Sequence, residues 1–167
     1  MGALQDTMKG SEGEDDLSPP AKRRRTDEGD ASQEASDVLI SGMGGLGVEI
    51  AKNVILAGVR SVTIHDEQVC SAVDLSAQYF LSEDTLGENR ASACEASLGQ
   101  LNKYVQVKAH TEPLTMDFLK TFTVVVLTET PLETQQSMAA FTHENNIPLI
   151  IADTKGVAGC VFQYDRC

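Results

Sequence analysis

Gly42, Gly44 and Gly47 stand in GxGxxG spacing within the run VLISGMGGLGVEIAKNVILAGVRSVTIHD, which ends on Asp66. The chemistry such a set supports is the holding of a nucleotide. Gly42 permits a tight turn, Gly44 lets the backbone approach a phosphate, and Gly47 lets a helix pack closely on the sheet. Free N–H groups at the helix start, with the helix dipole behind them, face an anion. Asp66 follows at about the distance, roughly 20 residues, expected of a ribose-binding carboxylate. The motif does not choose among NAD, FAD and ATP.

The elements that must position this turn follow from periodicity. A short apolar strand over 38–41 leads into it. Leu46, Ile50, Val54 and Ala57 then recur at helical spacing, and Gly58 supplies a stop. Residues 61–65 alternate as a second strand. The segment 69–86 mixes acids and aromatics and reads as loops with a short helix. Helical composition returns over 88–104, with Ala91, Cys94, Leu98 and Leu101 on one face. A strand over 105–110 and a short helix over 114–122 come next. The apolar run 123–127 has the pattern of a central parallel strand buried on both faces. Pro131 opens a helix reaching about Asn145. Residues 148–152 read as another buried strand and 157–164 as a last extended piece. Strand and helix alternate throughout, which predicts an α/β fold, a mostly parallel sheet with helices on both faces.

Composition divides the chain in two. Residues 1–36 contain almost no large apolar side chains and carry five Lys/Arg against nine Asp/Glu, with Pro19 and Pro20 inside. Such a stretch buries too little apolar surface to offset its ordering entropy and is expected to be a disordered acidic tail. Within it, Lys22, Arg23, Arg24 and Arg25 form a basic cluster of the kind a nuclear import receptor binds, so nuclear as well as cytoplasmic localisation is expected. Residues 37–167 make one domain carrying eight basic and sixteen acidic side chains. That acidity argues against a nucleic-acid partner. No apolar run approaches the roughly 18 residues needed to span a membrane, and no secretory signal is present. Cys70, Cys94, Cys160 and Cys167 form no CxxC pair and make no metal-ligand spacing with the histidines, which suits a reducing compartment and no metal site.

Hydride transfer needs a positioned acid or base. His110 and His143 have no evident partner, and Tyr79 has Glu83 rather than a lysine four residues on. A free-standing NAD(P)-binding oxidoreductase domain therefore rests on the glycines and Asp66 alone. A non-enzymatic interaction module is a further alternative.

Four runs in order, the glycine-rich run above, DLSAQYFLSEDTLGENRA, FTVVVLTETPLE and IADTKGVAGCVF, resemble the first, inactive adenylation domain (ThiF/MoeB-like, Rossmann-like fold) of eukaryotic ubiquitin-activating enzyme. The resemblance covers 36–162. It implies a role in scaffolding the ATP-dependent adenylation and thioester activation of ubiquitin, with the active adenylation domain of the same enzyme and ubiquitin as partners. ATP and Mg²⁺ belong to the intact enzyme, and no cofactor is expected on this chain; under the interaction-module alternative, the chain binds ubiquitin or an active adenylation domain without being an enzyme.

Measured against active domains of that superfamily, several charges are altered. Asp74 and Ala77 stand where an Asn and an Arg address the phosphates, and Arg90 lies near a phosphate-binding Lys. Thr128 stands where an Asp holds Mg²⁺; a neutral hydroxyl serves a hard cation poorly. Glu129 falls on the opposite face if its strand continues. Gly42, Gly44, Gly47 and Asp66 are thus expected to be a vestigial nucleotide site, with no catalytic residue and no metal ligand. None of the cysteines is the thioester nucleophile, which the family keeps in another domain. Relative to that family, 37–167 is expected to be a piece incomplete at both ends and without turnover alone.

Overall fold

The computed structural model describes residues 36–164. The tail expected over 1–36 and its basic cluster at 22–25 lie outside the described residues, Ser36 excepted. The six strands are β1 (Asp37–Ser41), β2 (Ser61–His65), β3 (Gln106–His110), β4 (Val124–Thr128), β5 (Leu149–Lys155) and β6 (Ala158–Tyr164). They form one sheet in the order β3-β2-β1-β4-β5-β6. The first five are parallel, and β6 returns antiparallel beside β5. The helices are α1 (Gly45–Ala57), α2 (Arg90–Gly99), α3 (Met116–Leu119) and α4 (Leu132–Glu144).

The sheet is covered on both faces because its central strands alternate two apolar sets. Val38 and Ile40 of β1 join Val126 of β4 beneath α1 and α2, where Val48, Ala51, Ile55, Cys94 and Leu98 close the layer. Leu39 of β1 and Val125 and Leu127 of β4 point the other way, onto Leu119 and Met138. Two buried faces require consecutive apolar residues, which explains the unbroken run in β4. Each such aliphatic side chain contributes about 1.5–3 kcal/mol when fully buried.

α2 and α3 are shorter than the sequence expectation, and four local features of the architecture have physical causes. α2 is shorter than 88–104: Asn89 caps its start, accepting from the N–H groups of Ala91 and Ser92. Beyond its end, the Asn102 amide donates to the Ile55 carbonyl and accepts from Tyr104 N–H, which diverts the chain toward β3. α3 is confined to one turn beginning after the Thr115 cap. The segment after β2 makes loops with two short 3₁₀ turns, Asp74–Ser76 and Glu83–Thr85. The last extended piece is antiparallel because the Gly156-Val157 link after β5, with Gly156 at φ 61°, is far too short for a parallel crossover.

The strand order places β1 and β4 side by side while their onward connections run to opposite sides of the sheet. The crevice beyond their carboxyl ends is where ligands bind in open α/β sheets. Leu39, fully buried in the central strand, tests the two-faced core. Leu39→Ala is expected to cost about 2–5 kcal/mol, measured as a fall in the urea midpoint with an unchanged slope.

Candidate functional site

The chain leaves β1 at Ser41 and turns sharply through Gly42, whose φ of 94° is left-handed. Gly42 N–H donates to the His65 carbonyl at 2.8 Å, tying the turn to the end of β2. α1 then begins with Gly44 as N-cap, without a side-chain cap and without an acid in its first turn. Gly47 is the tightest position: a Cβ there would lie 1.7 Å from the Gly42 carbonyl oxygen. The third glycine therefore seats the helix on the turn itself.

Asp66 follows β2 and is buried, 4% exposed. One carboxylate oxygen accepts from Gln68 N–H at 2.8 Å and the other from Met43 N–H at 2.7 Å. The expected ribose ligand is thus turned inward onto the glycine-rich turn. Its Oδ2 also lies 3.0 Å from Arg90 Nε. That contact is an ion pair without hydrogen-bond alignment, since Arg90 Nε has no hydrogen-bond partner among the described residues.

Arg90, at the first turn of α2, gathers the acids of three other segments. Its Nη1 donates to Asp74 at 3.0 Å and its Nη2 to Glu129 at 3.4 Å, beside the Asp66 contact. The guanidinium side chain is only 5% exposed. Burial alone would lower its pKa, but Asp66, Glu129 and Asp74 outweigh that and raise it. Burial likewise opposes the Asp74 charge, yet hydrogen bonds from Ser71, then Arg90, hold its carboxyl below the usual range.

The altered positions converge on the same turn. The Thr128 hydroxyl donates to the carbonyls of Ser41 at 3.1 Å and Gly42 at 2.8 Å, so it ties β4 to the turn. The Ala77 carbonyl lies over Gly45, 2.8 Å from where a Cβ would stand. Glu129 overturns the expectation of an opposite face. β4 stops at Thr128, and Glu129 takes a left-handed φ of 53°, which swings its carboxylate over Gly44. Gln78 was not singled out from sequence; buried, it donates through Nε2 to the Met43 carbonyl. Its place directly after Ala77 is its one sequence signal.

An open cleft of about 380 Å³ lies over these groups, lined by Gly42, His65, Asp66, Arg90, Thr128 and Glu129 among others. The donor set does not fit a Mg²⁺–nucleotide. Thr128 offers a neutral hydroxyl where a hard cation favours a carboxylate, and Asp66, Asp74 and Glu129 share one guanidinium, leaving net negative charge beside the turn. Cys70 and Cys94 are buried free thiols and Cys160 is exposed; burial pushes the Cys94 thiol up to about 12, which leaves it inert. His110 stacks on Phe118 at 4.3 Å and His143 packs on Tyr164, so neither is brought to the turn.

The strand order and the glycine-rich turn at its reversal define a Rossmann-like α/β domain. The chain belongs to the ThiF family, whose model matches residues 23–166. It is 51% identical over 129 residues to human ubiquitin-like modifier-activating enzyme 1, covering 77% of this chain and 12% of the relative. Similar matches are ubiquitin-activating enzyme E1 1 of Schizosaccharomyces pombe, 51% over 127 residues (76% and 12%), and mouse ubiquitin-like modifier-activating enzyme 7, 46% over 130 residues (78% and 13%). The matched region thus spans about an eighth of the length of these curated relatives.

His65 lies at the floor of the cleft. Its Nδ1 accepts from the Ser41 hydroxyl at 2.9 Å while Nε2 donates to the Glu112 carbonyl at 3.1 Å, an arrangement for neutral imidazole. Burial, the largest cause, lowers its pKa below the ordinary 6.5. The unfolded chain then takes up a proton first as pH falls, so this contribution to stability is full above about pH 6.5 and lost as pH falls through the folded pKa. Urea unfolding at pH 7.5 and 5.5 is expected to show that loss in the native chain and a smaller loss in His65→Gln.

Proposed function

We propose that this chain is part of a ubiquitin-activating enzyme, in which its domain is the inactive adenylation half. In the whole protein it scaffolds ATP-dependent adenylation and thioester activation of ubiquitin. The observation that carries this reading is the state of Asp66: its carboxylate is spent on Met43 N–H, Gln68 N–H and Arg90. A cradle whose ribose ligand is folded into its own turn serves as architecture. The names of the relatives supply the reaction class. Gly42, Gly44, Gly47 and Asp66 are vestigial nucleotide-site positions on this reading. The active adenylation domain and ubiquitin are its partners, and ATP and Mg²⁺ act in the intact enzyme.

The same carboxylate geometry speaks against the NAD(P)-dependent alternative, which needs Asp66 free for a ribose. Purified chain with ubiquitin, Mg²⁺ and ATP is expected to show no exchange of labelled pyrophosphate into ATP, while immobilised chain retains an isolated active adenylation domain. Exchange above the no-ubiquitin control, or absence of capture, contradicts the assignment.

Localisation in both cytoplasm and nucleus belongs to the same proposal, through an import receptor engaging Lys22, Arg23, Arg24 and Arg25. Replacing these four residues by alanine in a fluorescent fusion is expected to deplete the nuclear pool; an unchanged nuclear-to-cytoplasmic ratio removes that element.

A further inference from the structure

We propose that Glu129 is a tethered anion occupying the phosphate position of the glycine-rich turn, so that the chain closes its own nucleotide cradle. The inference goes beyond the assignment to ubiquitin activation and does not rest on it.

The backbone aims the side chain. Glu129 and Asn146 are the non-glycine residues with positive φ among the described residues. A left-handed conformation is unfavourable for a non-glycine residue, so it persists where surrounding contacts enforce it. Here Glu129 N–H donates to Asp153 at 3.0 Å, and the Thr130 hydroxyl donates to the Thr128 carbonyl at 3.1 Å. These bonds hold the chain just beyond β4 in the bend that reverses the side chain's direction.

The position is the one an incoming phosphate needs. A Cβ on Gly44 would lie 1.9 Å from Glu129 Oε1 and 2.6 Å from Oε2, so both carboxylate oxygens occupy the space the missing side chain leaves open. Gly44 itself is extended, with φ −74° and ψ −166°, so the backbone there does not demand glycine. The Glu129 carboxylate fills the space that the glycine leaves open. α1, thirteen residues long, starts at this point without a side-chain cap or an acid of its own, and Glu129 supplies the negative charge that its dipole favours.

A second group points to the same anion. Arg90 lines the cleft, is 95% buried by its 5% exposure, and keeps Nε without a hydrogen bond. Its Nη2 holds Glu129 at 3.4 Å. With Asp66 and Asp74 already on the guanidinium, a phosphate entering beside Glu129 meets an excess of like charge. The Glu129 side chain is nevertheless 43% exposed, at the mouth of the cleft, so removing it leaves the core intact.

The test titrates inorganic pyrophosphate into the full chain at fixed ionic strength by calorimetry, for the native sequence, Glu129→Gln and Glu129→Ala. Glu129→Gln keeps the side chain's size and removes its charge, whereas Glu129→Ala removes both. Pyrophosphate is expected to bind Glu129→Ala at least about tenfold more tightly than the native chain, with Glu129→Gln between them. Amide shift changes in Glu129→Ala are expected at Gly44, Gly45 and Leu46. Affinity unchanged in both variants, or tighter binding with shifts away from the turn, overturns the proposal. Neither result bears on ubiquitin exchange or domain capture, so the two readings fail separately.

Discussion

A single buried guanidinium joins the end of β2, the loop that follows it, the start of α2 and the bend after β4. Taking Arg90 out of water costs several kcal/mol unless carboxylates surround it, and Asp66, Asp74 and Glu129 do so from three separate segments. The cluster gives the irregular stretch after β2 a fixed place against the sheet, where it has only two 3₁₀ turns of its own. Two acids of that stretch, Asp66 and Asp74, are directed onto this one cation.

Around that cluster the glycine-rich turn keeps its geometry through contacts made by its own chain. Gly42 N–H is taken by the His65 carbonyl, Met43 N–H by Asp66, and the Ser41 and Gly42 carbonyls by the Thr128 hydroxyl. In a nucleotide-binding turn, some of these backbone groups and the ribose acid would face ligand. Here these contacts lace β1, β2 and β4 together at their carboxyl ends.

The domain is built around β1 and β4, which pack against the α1 and α2 layer on one face and against Leu119 and Met138 on the other, whereas β3 and β6 lie more exposed. Its acidic balance, eight basic against sixteen acidic residues over 37–167, leaves recognition to shape and local charge, with no general attraction to polyanions.

Much of this was legible in the residues alone. The alternation of apolar strands and amphipathic helices determined the α/β class, because burial on two faces leaves a distinctive pattern in a linear chain. The spacing of Gly42, Gly44 and Gly47 determined the turn, because only glycine permits the left-handed φ at Gly42 and the 1.7 Å approach that a Cβ at Gly47 would make. The altered charges at Ala77 and Thr128 were visible only through the family resemblance. The tertiary structure alone decided what those groups touch. Whether Asp66 faces outward or into its own turn depends on Met43, Gln68 and Arg90, which are distant or unremarkable in sequence. Whether Glu129 lies on the far face depends on where β4 stops, and one left-handed residue reverses the period-two rule. Periodicity records which face a regular element buries. It carries no information about the bend that ends the element, and the site is built from such bends.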